Sequence, residues 1–458
     1  MITKLEWKGM TDAAVGYKYS IFDVFTPTTP AKETFVERGN VQDLLVDAFK
    51  TPGKQIIVYG HSGSGKSTLI ERKLFELYEK HITTACMRGM TFESVLLDAF
   101  DQLDLYYESL MKQSSVVSAN AELRSQWATI AAAKSKAHEL QNSRLLPPQL
   151  TAQSLARFLG EVKACWVLED FHKLEEPEKI RLAQAMKMFM DMARHYPELK
   201  AVAVGAVATA REVVQYDQEM RGRVSEIEVP LMTDAELKEI IRIGASKLNI
   251  EFSKGASASI VLFSNGLAST CHQLCLNACI AHGIESERGD GDRRLSDESF
   301  KRSITMYAES ASDSIRQRFE KATKVKRRSK FNTYEVVLRH LSKFGPDGTT
   351  IGELTRSISE DGDDCDINNL GRYIALLQQQ ERGGVLSFNA DSGKYFVSDP
   401  FVMSYMQAYF ESRSNRQGDL GDTFVLDNER FARFITDRVL KSILEQNDTA
   451  TSMTALHL

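Results

Sequence analysis

Long apolar runs are missing from this sequence, and their absence excludes one class of protein. No run of 18 apolar residues occurs in the 458-residue chain, so we expect no transmembrane span. No apolar stretch follows the charged opening MITKLEWKGM, so we expect no signal peptide. Cys-x-x-Cys pairs are also missing among the six cysteines, a usage typical of a reducing compartment. These absences together predict a cytoplasmic protein with no membrane partner.

A strong charge imbalance is missing as well. The formal net charge is −5 and the sequence pI is about 6.1, so the chain as a whole gives no indication of nucleic-acid affinity. The hydrophobic fraction of 43% and the charged fraction of 26% are ordinary for globular proteins. For this length the usual prior is roughly two to four domains.

Short apolar strands alternate with longer helical patterns between residues 54 and 230. The runs at 56–59, 165–168 and 201–207 are apolar at nearly every position, which is typical of parallel strands covered on both faces, and 83–87 is a plausible further strand. The pattern predicts an α/β nucleotide-binding core with a parallel sheet over residues 1–232. A polar segment rich in alanine, serine and glutamine, about 112–150, predicts a helical insertion of unknown role.

Strand patterns stop after residue 232. Thr233-Asp-Ala-Glu236 has the form of a capping box, and helical patterns continue from there, which predicts a small all-helical domain over 233–320. Three helical patterns and a hairpin around 389–393 follow within 331–410, in the order of a winged-helix domain. A C-terminal helix and tail are expected over 411–458.

The strongest motif is a complete P-loop between an apolar strand and a helix. Its residues are Gly60, His61, Ser62, Gly63, Ser64, Gly65, Lys66 and Ser67, followed by Thr68. Glycines let the backbone wrap closely around phosphates, and the amides of the loop and helix start point inward at the positive end of a dipole. Lys66 is expected to reach the β- and γ-phosphates of ATP. The hydroxyl of Ser67 is expected to bind Mg²⁺.

A second motif ends the apolar strand at 165–168 with two adjacent acids, Glu169 and Asp170. It is similar to a Walker B element, although the acids come in reverse of the usual Asp-then-Glu order. One carboxylate is expected to bind the magnesium, and the other to orient or deprotonate the attacking water. By position Glu169 takes the metal and Asp170 is the base, and the reverse assignment stays open.

The segments around the P-loop resemble those of a known protein family. The run Phe35-Val36-Glu37-Arg38-Gly39, with 44–45 and 56–69, resembles the opening of AAA+ ATPases, closest to the origin-recognition-like and STAND branches. The resemblance implies ATP and Mg²⁺ as cofactors and places Arg38 near the adenine. It also implies a P-loop parallel-sheet core followed by a helical lid and a winged helix, with the nucleotide between core and lid.

Further segments carry the resemblance to about residue 410. Residues 221–230 resemble the junction of ATPase core and lid, and Ser264-Asn265-Gly266-Leu267-Ala268 is similar to the lid glycine motif of STAND proteins. Arg221 and Arg223 stand where related proteins place an arginine that reaches a neighbouring subunit's γ-phosphate. Surface arginines in salt bridges are the other interpretation.

Two departures from the family pattern concern turnover. The strand at 201–207 ends without a clear polar sensor residue, and no arginine follows Gly266 in the lid. A lid that lacks this arginine fits a slow switch better than a fast motor.

Two further features have ordinary explanations. Cys271, Cys275 and Cys279 share one helix face, and their spacing predicts buried packing rather than a metal site. Residues 331–410 contain eleven acids against six basic residues, which opposes phosphate binding, although a basic connector precedes them at 321–330. We therefore favour a winged helix that contacts protein over one that binds DNA.

These features predict an ATP-binding and ATP-hydrolysing molecular switch. Its nucleotide state is expected to control assembly or partner contact through the lid and winged helix. Hydrolysis would use Asp170 or Glu169 with Lys66, completed by Arg221 or Arg223 from a neighbour in a homo-oligomer. Two alternatives are a DNA-associated AAA+ ATPase of the loader type and a module that holds nucleotide without turnover.

Overall fold

A computed structural model describes residues 19–78, 80–114, 150–206, 222–289, 292–325 and 331–418. Glu37–Pro230 forms one compact unit, and the residues before Glu37 form a second unit together with those from Leu231 onward. None of the helices in the described ranges is long and apolar enough to cross a membrane. Most of the predicted insertion, the connector residues 326–330 and the tail after residue 418 lie outside the described residues.

The first unit, here called the P-loop unit, has a parallel sheet between helices. The described chain begins with helix α1 (Ile21–Val24) of the second unit, and the elements of the P-loop unit follow it. They are α2 (Gly39–Lys50), β1 (Gln55–Tyr59), α3 (Lys66–Leu77), β2 (Lys80–Ala85), α4 (Phe92–Ser114), α5 (Ala152–Val162), β3 (Ala164–Glu169), α6 (Glu176–Met192), β4 (Lys200–Gly205) and β5 (Val224–Glu228).

The sheet confirms the predicted parallel topology. Its five strands lie in the order β2-β3-β4-β1-β5, and each neighbouring pair is parallel. Strands β1, β3 and β4 are buried over nearly their whole length because helices cover both faces. Crossovers return every strand in the same direction, so the carboxyl ends of β1 and β3 meet at one edge. That edge carries the P-loop after β1 and the two acids at the end of β3.

The core of this unit centres on Trp166 in β3. Its side chain is fully buried and packs against Phe189 of α6, with ring centroids 6.0 Å apart. The indole Nε1–H donates to Thr84 Oγ1 on β2 at 3.1 Å, so its polar atom is satisfied inside the core. Burial of this size holds β3 and the acids that follow it in a single register.

The second unit contains a helical module, residues 234–310. Its elements are α7 (Asp234–Leu248), β6 (Glu251–Phe252), α8 (Lys254–Ser264), α9 (Ala268–Ala281), β7 (Arg294–Leu295) and α10 (Asp297–Ser310). Helix α7 begins with the capping box of Thr233 and Glu236, in which each side chain accepts a hydrogen bond from the other residue's amide. Helix α1 packs into the same core through Ile21 and Val24.

The three cysteines of α9 face the interior of this module. Cys271, Cys275 and Cys279 are all fully buried among apolar side chains, the arrangement that their spacing predicts. Burial raises the pKa of the Cys279 thiol to about 12, which suits a packing role rather than thiolate chemistry.

A C-terminal module, residues 313–418, completes the second unit. Its elements are α11 (Asp313–Thr323), α12 (Thr333–Lys343), α13 (Ile351–Asp361), α14 (Leu370–Leu377), β8 (Leu386–Asn389), β9 (Lys394–Val397) and α15 (Pro400–Gly418). Strands β8 and β9 form an antiparallel hairpin. Helix α15 is shared between two cores: Ala408 packs with the helical module, and Met406 packs with the C-terminal module.

Candidate functional site

The P-loop turns sharply between β1 and α3 because its glycines take backbone conformations closed to other residues. Gly60 has φ +152°, and a Cβ atom there would lie 2.3 Å from the carbonyl oxygen of Val229. Gly63 and Gly65 are left-handed as well. The loop delivers the chain into α3 at Lys66, so the amides of the first helical turn stand at the positive end of the helix dipole.

Lys66 and Ser64 carry polar atoms inside this loop. The Lys66 ammonium donates to the carbonyl oxygens of Gly60 at 3.0 Å and His61 at 2.7 Å. Burial lowers its pKa, and the charges of Glu169 and Asp170 act in the opposite direction. The buried hydroxyl of Ser64 has no hydrogen-bond partner within the described part of the chain. Such a loop has donors available for an anion.

The two motifs meet at the side chains of Ser67 and Glu169. The Ser67 hydroxyl donates to Glu169 Oε2 at 3.3 Å, across 102 positions in sequence. Burial raises the pKa of the Glu169 carboxyl, and the hydrogen bond from Ser67 opposes that shift. A hydroxyl and a carboxylate at this separation are oxygen ligands of the kind that Mg²⁺ takes. The donor set therefore fits a magnesium ion bound between the two motifs.

The carboxylate of Asp170 pairs with Lys173 and not with Ser67. The residue is left-handed, with φ +55°, and its carboxylate accepts a hydrogen bond from Lys173 Nζ at 2.6 Å. Both of these side chains are about half exposed. The reversal of the backbone after Glu169 thus separates the two acids, with Glu169 beside Ser67 and Asp170 beside Lys173. Sequence reasoning missed Lys173, whose spacing of three from Asp170 was the available signal.

His172 is a second residue that the motifs did not single out. It lies in a 3-10 turn, Phe171–Lys173, directly after the acids, and its buried Nδ1 atom has no partner among the described residues. Burial lowers its pKa although the charge of Asp170 opposes this. His172 therefore places an imidazole two positions after Asp170 in the sequence.

Arg38 contacts the backbone of the P-loop. Its guanidinium is 7% exposed and donates to Ser64 O at 3.3 Å and Pro230 O at 2.9 Å. These contacts join the loop to the end of the segment that follows β5. The other loop positions lie where the motif places them: Ser62 is exposed at the turn and Thr68 is in the first turn of α3.

Arg223 lies at the opposite edge of the sheet from the P-loop. It precedes β5, and its carbonyl accepts from the Gln55 amide at the start of β1, whereas the P-loop follows the end of β1. Its guanidinium pairs with Asp191 at 2.9 Å, and both side chains are exposed. A strand length therefore separates Arg223 from its own P-loop. Arg221 lies outside the described residues.

Comparisons with known proteins bear on this geometry. Residues 34–191 match the family model of the AAA ATPase domain. A search of curated proteins found no match. The matched residues include the P-loop and the two acids after β3, so the match and the parallel α/β sheet together support an AAA+ P-loop ATPase domain over this part of the chain.

Several solved structures are similar at low identity. The Walker-type ATPase PABY2304 of Pyrococcus abyssi is 14% identical with a TM-score of 0.48, over 81% of this chain and 96% of that one. Cdc6p from Pyrobaculum aerophilum is 14% identical with a TM-score of 0.40, over 86% and 98%. The Thermotoga maritima RuvB Holliday junction branch migration motor is 15% identical with a TM-score of 0.37, over 80% and 93%.

Proposed function

We propose that the protein is an ATP-binding and ATP-hydrolysing switch whose nucleotide state controls contact with a protein partner or another copy of the chain. The observation that carries the proposal is the pair formed by Ser67 and Glu169, 3.3 Å apart at the mouth of the P-loop. Two motifs separated by 102 positions supply a hydroxyl and a carboxylate at one point, as a magnesium–nucleotide site requires.

Each residue has a proposed role. The amides of Gly60 to Thr68 and the Lys66 ammonium bind the phosphates, and Lys66 exchanges its two carbonyl partners for them. Ser67 and Glu169 hold Mg²⁺, which when bound neutralises phosphate charge. Asp170 orients the attacking water and accepts its proton, which requires its carboxylate to leave Lys173. Arg38 supports the loop through Ser64 O.

Arg223 or Arg221 is proposed to act on the nucleotide of a neighbouring copy. The support for this is the position of Arg223, which lies at the opposite end of the strands from the P-loop of its own chain. Its pair with Asp191 is exposed, so it contributes little to stability and is easily exchanged. An arginine supplied in trans can raise turnover by roughly three orders of magnitude or more.

The helical module is proposed as the lid and the C-terminal module as a winged helix. Three helices, α12 to α14, followed by the hairpin of β8 and β9 support this assignment. We propose a protein-contacting role because acids outnumber basic residues in 331–410. The domain limits at 232, 320 and 410 stay predictions.

The first test is Lys66→Ala, with Lys50→Ala on the exposed side of α2 as a matched control. We expect Lys66→Ala to weaken the binding of a fluorescent ATP analogue by roughly 100-fold, because it removes a charge-assisted contact to phosphate. Lys50→Ala should bind like the wild type. Unchanged affinity in Lys66→Ala would remove the basis of the proposal.

The second test is steady-state ATP hydrolysis across a protein concentration series, with and without duplex DNA. Turnover per subunit that rises with concentration, and fails to rise in Arg223→Ala, supports an arginine supplied in trans. Turnover that rises only with DNA supports the DNA-associated alternative instead. Bound nucleotide that stays intact under all conditions supports the module without turnover.

A further inference from the structure

Arg38 stands where the chain passes between the two compact units. The backbone crosses twice, at Val36–Glu37 and at Pro230–Leu231. Arg38 comes two residues after the first crossing, and its Nη2 donates to the carbonyl of Pro230, the last residue before the second. Its Nη1 donates to Ser64 O in the P-loop. One buried guanidinium therefore joins the P-loop to the last residue before the second crossing.

Directly after the second crossing, the chain is hydrogen-bonded to a turn of the helical module. The amide of Met232 donates to Gly266 O at 2.8 Å. Gly266 has φ +76°, and a Cβ atom there would lie 2.7 Å from Leu231 Cβ. The turn formed by Asn265 and Gly266 is thus in direct contact with the first residues after the crossing. A displacement of Leu231 and Met232 must move this turn or break its hydrogen bond.

Asn265 extends these contacts into the C-terminal module. Its side chain is 3% exposed, and its Nδ2 donates to Ser404 Oγ at 2.9 Å and Gln407 Oε1 at 2.8 Å, both on α15. The Nε2 of Gln407 then donates to Ser342 O, in the last turn of α12, at 2.9 Å. Because these polar atoms are buried, moving the turn without α15 would leave donors unsatisfied, which is unfavourable.

We propose that these contacts form a relay through which nucleotide in the P-loop changes the state of helix α12 in the C-terminal module. The relay runs from Ser64 through Arg38 to Pro230, then along the peptide chain to Met232, Gly266, Asn265, Gln407 and Ser342. This proposal rests on the proposed function, since it requires nucleotide binding, and it names the residues that report it. By linkage, the factor by which nucleotide changes the affinity of the C-terminal module for a partner equals the factor by which that partner changes the affinity for nucleotide.

The test is hydrogen exchange of the full chain, measured by mass spectrometry with and without Mg·ATPγS. In the wild type we expect the nucleotide to change the exchange rate of amides in α12, residues 333–343, by roughly fivefold or more, a factor within the usual range of coupling between sites. In Gln407→Met, which keeps the length of the side chain but has no amide, this response should be lost. The response of α8 and α9 and the affinity for ATPγS should stay.

Ser412→Ala is the matched control. Ser412 lies on the same helix, is 7% exposed and donates within its own turn to Tyr409 O at 2.9 Å, outside the relay. In Ser412→Ala, the nucleotide-dependent change in the hydrogen exchange of α12 should match that of the wild type. If Gln407→Met fails to fold, Ser404→Ala removes one acceptor of Asn265 and should reduce the response in part, whereas a full response in Ser404→Ala would overturn the relay.

The outcomes separate the relay from the proposed function. A wild-type chain that does not bind ATPγS overturns both. Binding without any change in α12, or a full α12 response in Gln407→Met, overturns the relay alone. Purely local packing by Gln407 would alter the basal exchange of α12 but not its dependence on nucleotide, so the nucleotide-linked difference is the measurement that decides.

Discussion

The P-loop and the C-terminal module satisfy their polar groups in different ways. In the P-loop, Lys66 donates to two backbone carbonyls, and the buried hydroxyl of Ser64 has no partner within the described residues. In the C-terminal module, buried His340 has a partner at each ring nitrogen: Ser357 Oγ at 2.8 Å and Asp363 Oδ2 at 2.7 Å. The P-loop therefore has polar groups available for a ligand, whereas the ring nitrogens of His340 are already hydrogen-bonded to neighbouring side chains.

The paired region illustrates why a cluster of ligand-type atoms need not be a metal site. His340, Asp361 and Asp363 place one such atom each within 4.8 Å of one another. Arg339 is paired with Asp363, and Lys343 with Asp361, so two cations already neutralise the acids. The pKa of Asp363 is lowered: burial acts to raise it, but the hydrogen bond to His340 and the charge of Arg339 outweigh that. The comparison implies that substitutions at the P-loop edge lower the hydrolysis rate or the nucleotide affinity, whereas substitutions in the cluster of His340, Asp361 and Asp363 lower the unfolding free energy.

The largest expected effect is on turnover at the acid pair. Asp170→Asn should lower the hydrolysis rate by roughly 10²- to 10⁴-fold, the range of general-base catalysis, with nucleotide affinity and unfolding free energy kept. Glu169→Gln should instead weaken the magnesium dependence of nucleotide binding. Rates and Mg²⁺ titrations for both variants decide the assignment, and a swap of the two phenotypes would make Glu169 the base.

The next effect is on stability in the paired region. Asp363→Asn removes a charged partner from His340 and Arg339 and should lower the unfolding free energy by about 1.5 to 3 kcal/mol in urea denaturation. Asp364→Asn, one residue along and exposed, should change it by less than about 0.5 kcal/mol. Nucleotide affinity should stay at the wild-type value in both. Weaker nucleotide binding with unchanged stability in Asp363→Asn would contradict the contrast.

The smallest effect sharpens the contrast within the helical module. Burial lowers the pKa of His272 to about 4, and its Nδ1 accepts a hydrogen bond from the Thr26 amide at 3.0 Å. The unfolded chain takes up a proton near pH 6.5 while the folded one does not, so this stability is present above pH 6.5 and is lost as pH falls toward 4. The loss by pH 5 should be about 2 kcal/mol.

Denaturation of the wild type and His272→Asn at pH 8 and pH 5 isolates this contribution. The variant carries no titratable group at position 272, so its stability should fall less between the two pH values. Equal pH dependence in both proteins would show that the imidazole titrates alike in the folded and unfolded chain.

Most of the P-loop site could be predicted from sequence because its determinants are local. An apolar strand before Gly60 and another before Glu169 indicate parallel strands, and such strands end at one edge, so Ser67 and Glu169 were expected near each other. The direction of each acid could not be predicted, because it depends on the left-handed backbone at Asp170. The position of Arg223 relative to its own site needed the strand order.

By itself the sequence determined the features that depend on spacing and residue type: the apolar strands, the P-loop glycines, the capping box at Thr233 and the buried stripe of cysteines. Only the tertiary structure decided which distant polar groups meet. Asn265 and Gln407 are 142 positions apart, and Arg38 and Pro230 are 192 apart. A single amide or guanidinium has no periodicity, so only the packing of whole elements selects its partner among the many acceptors of the chain.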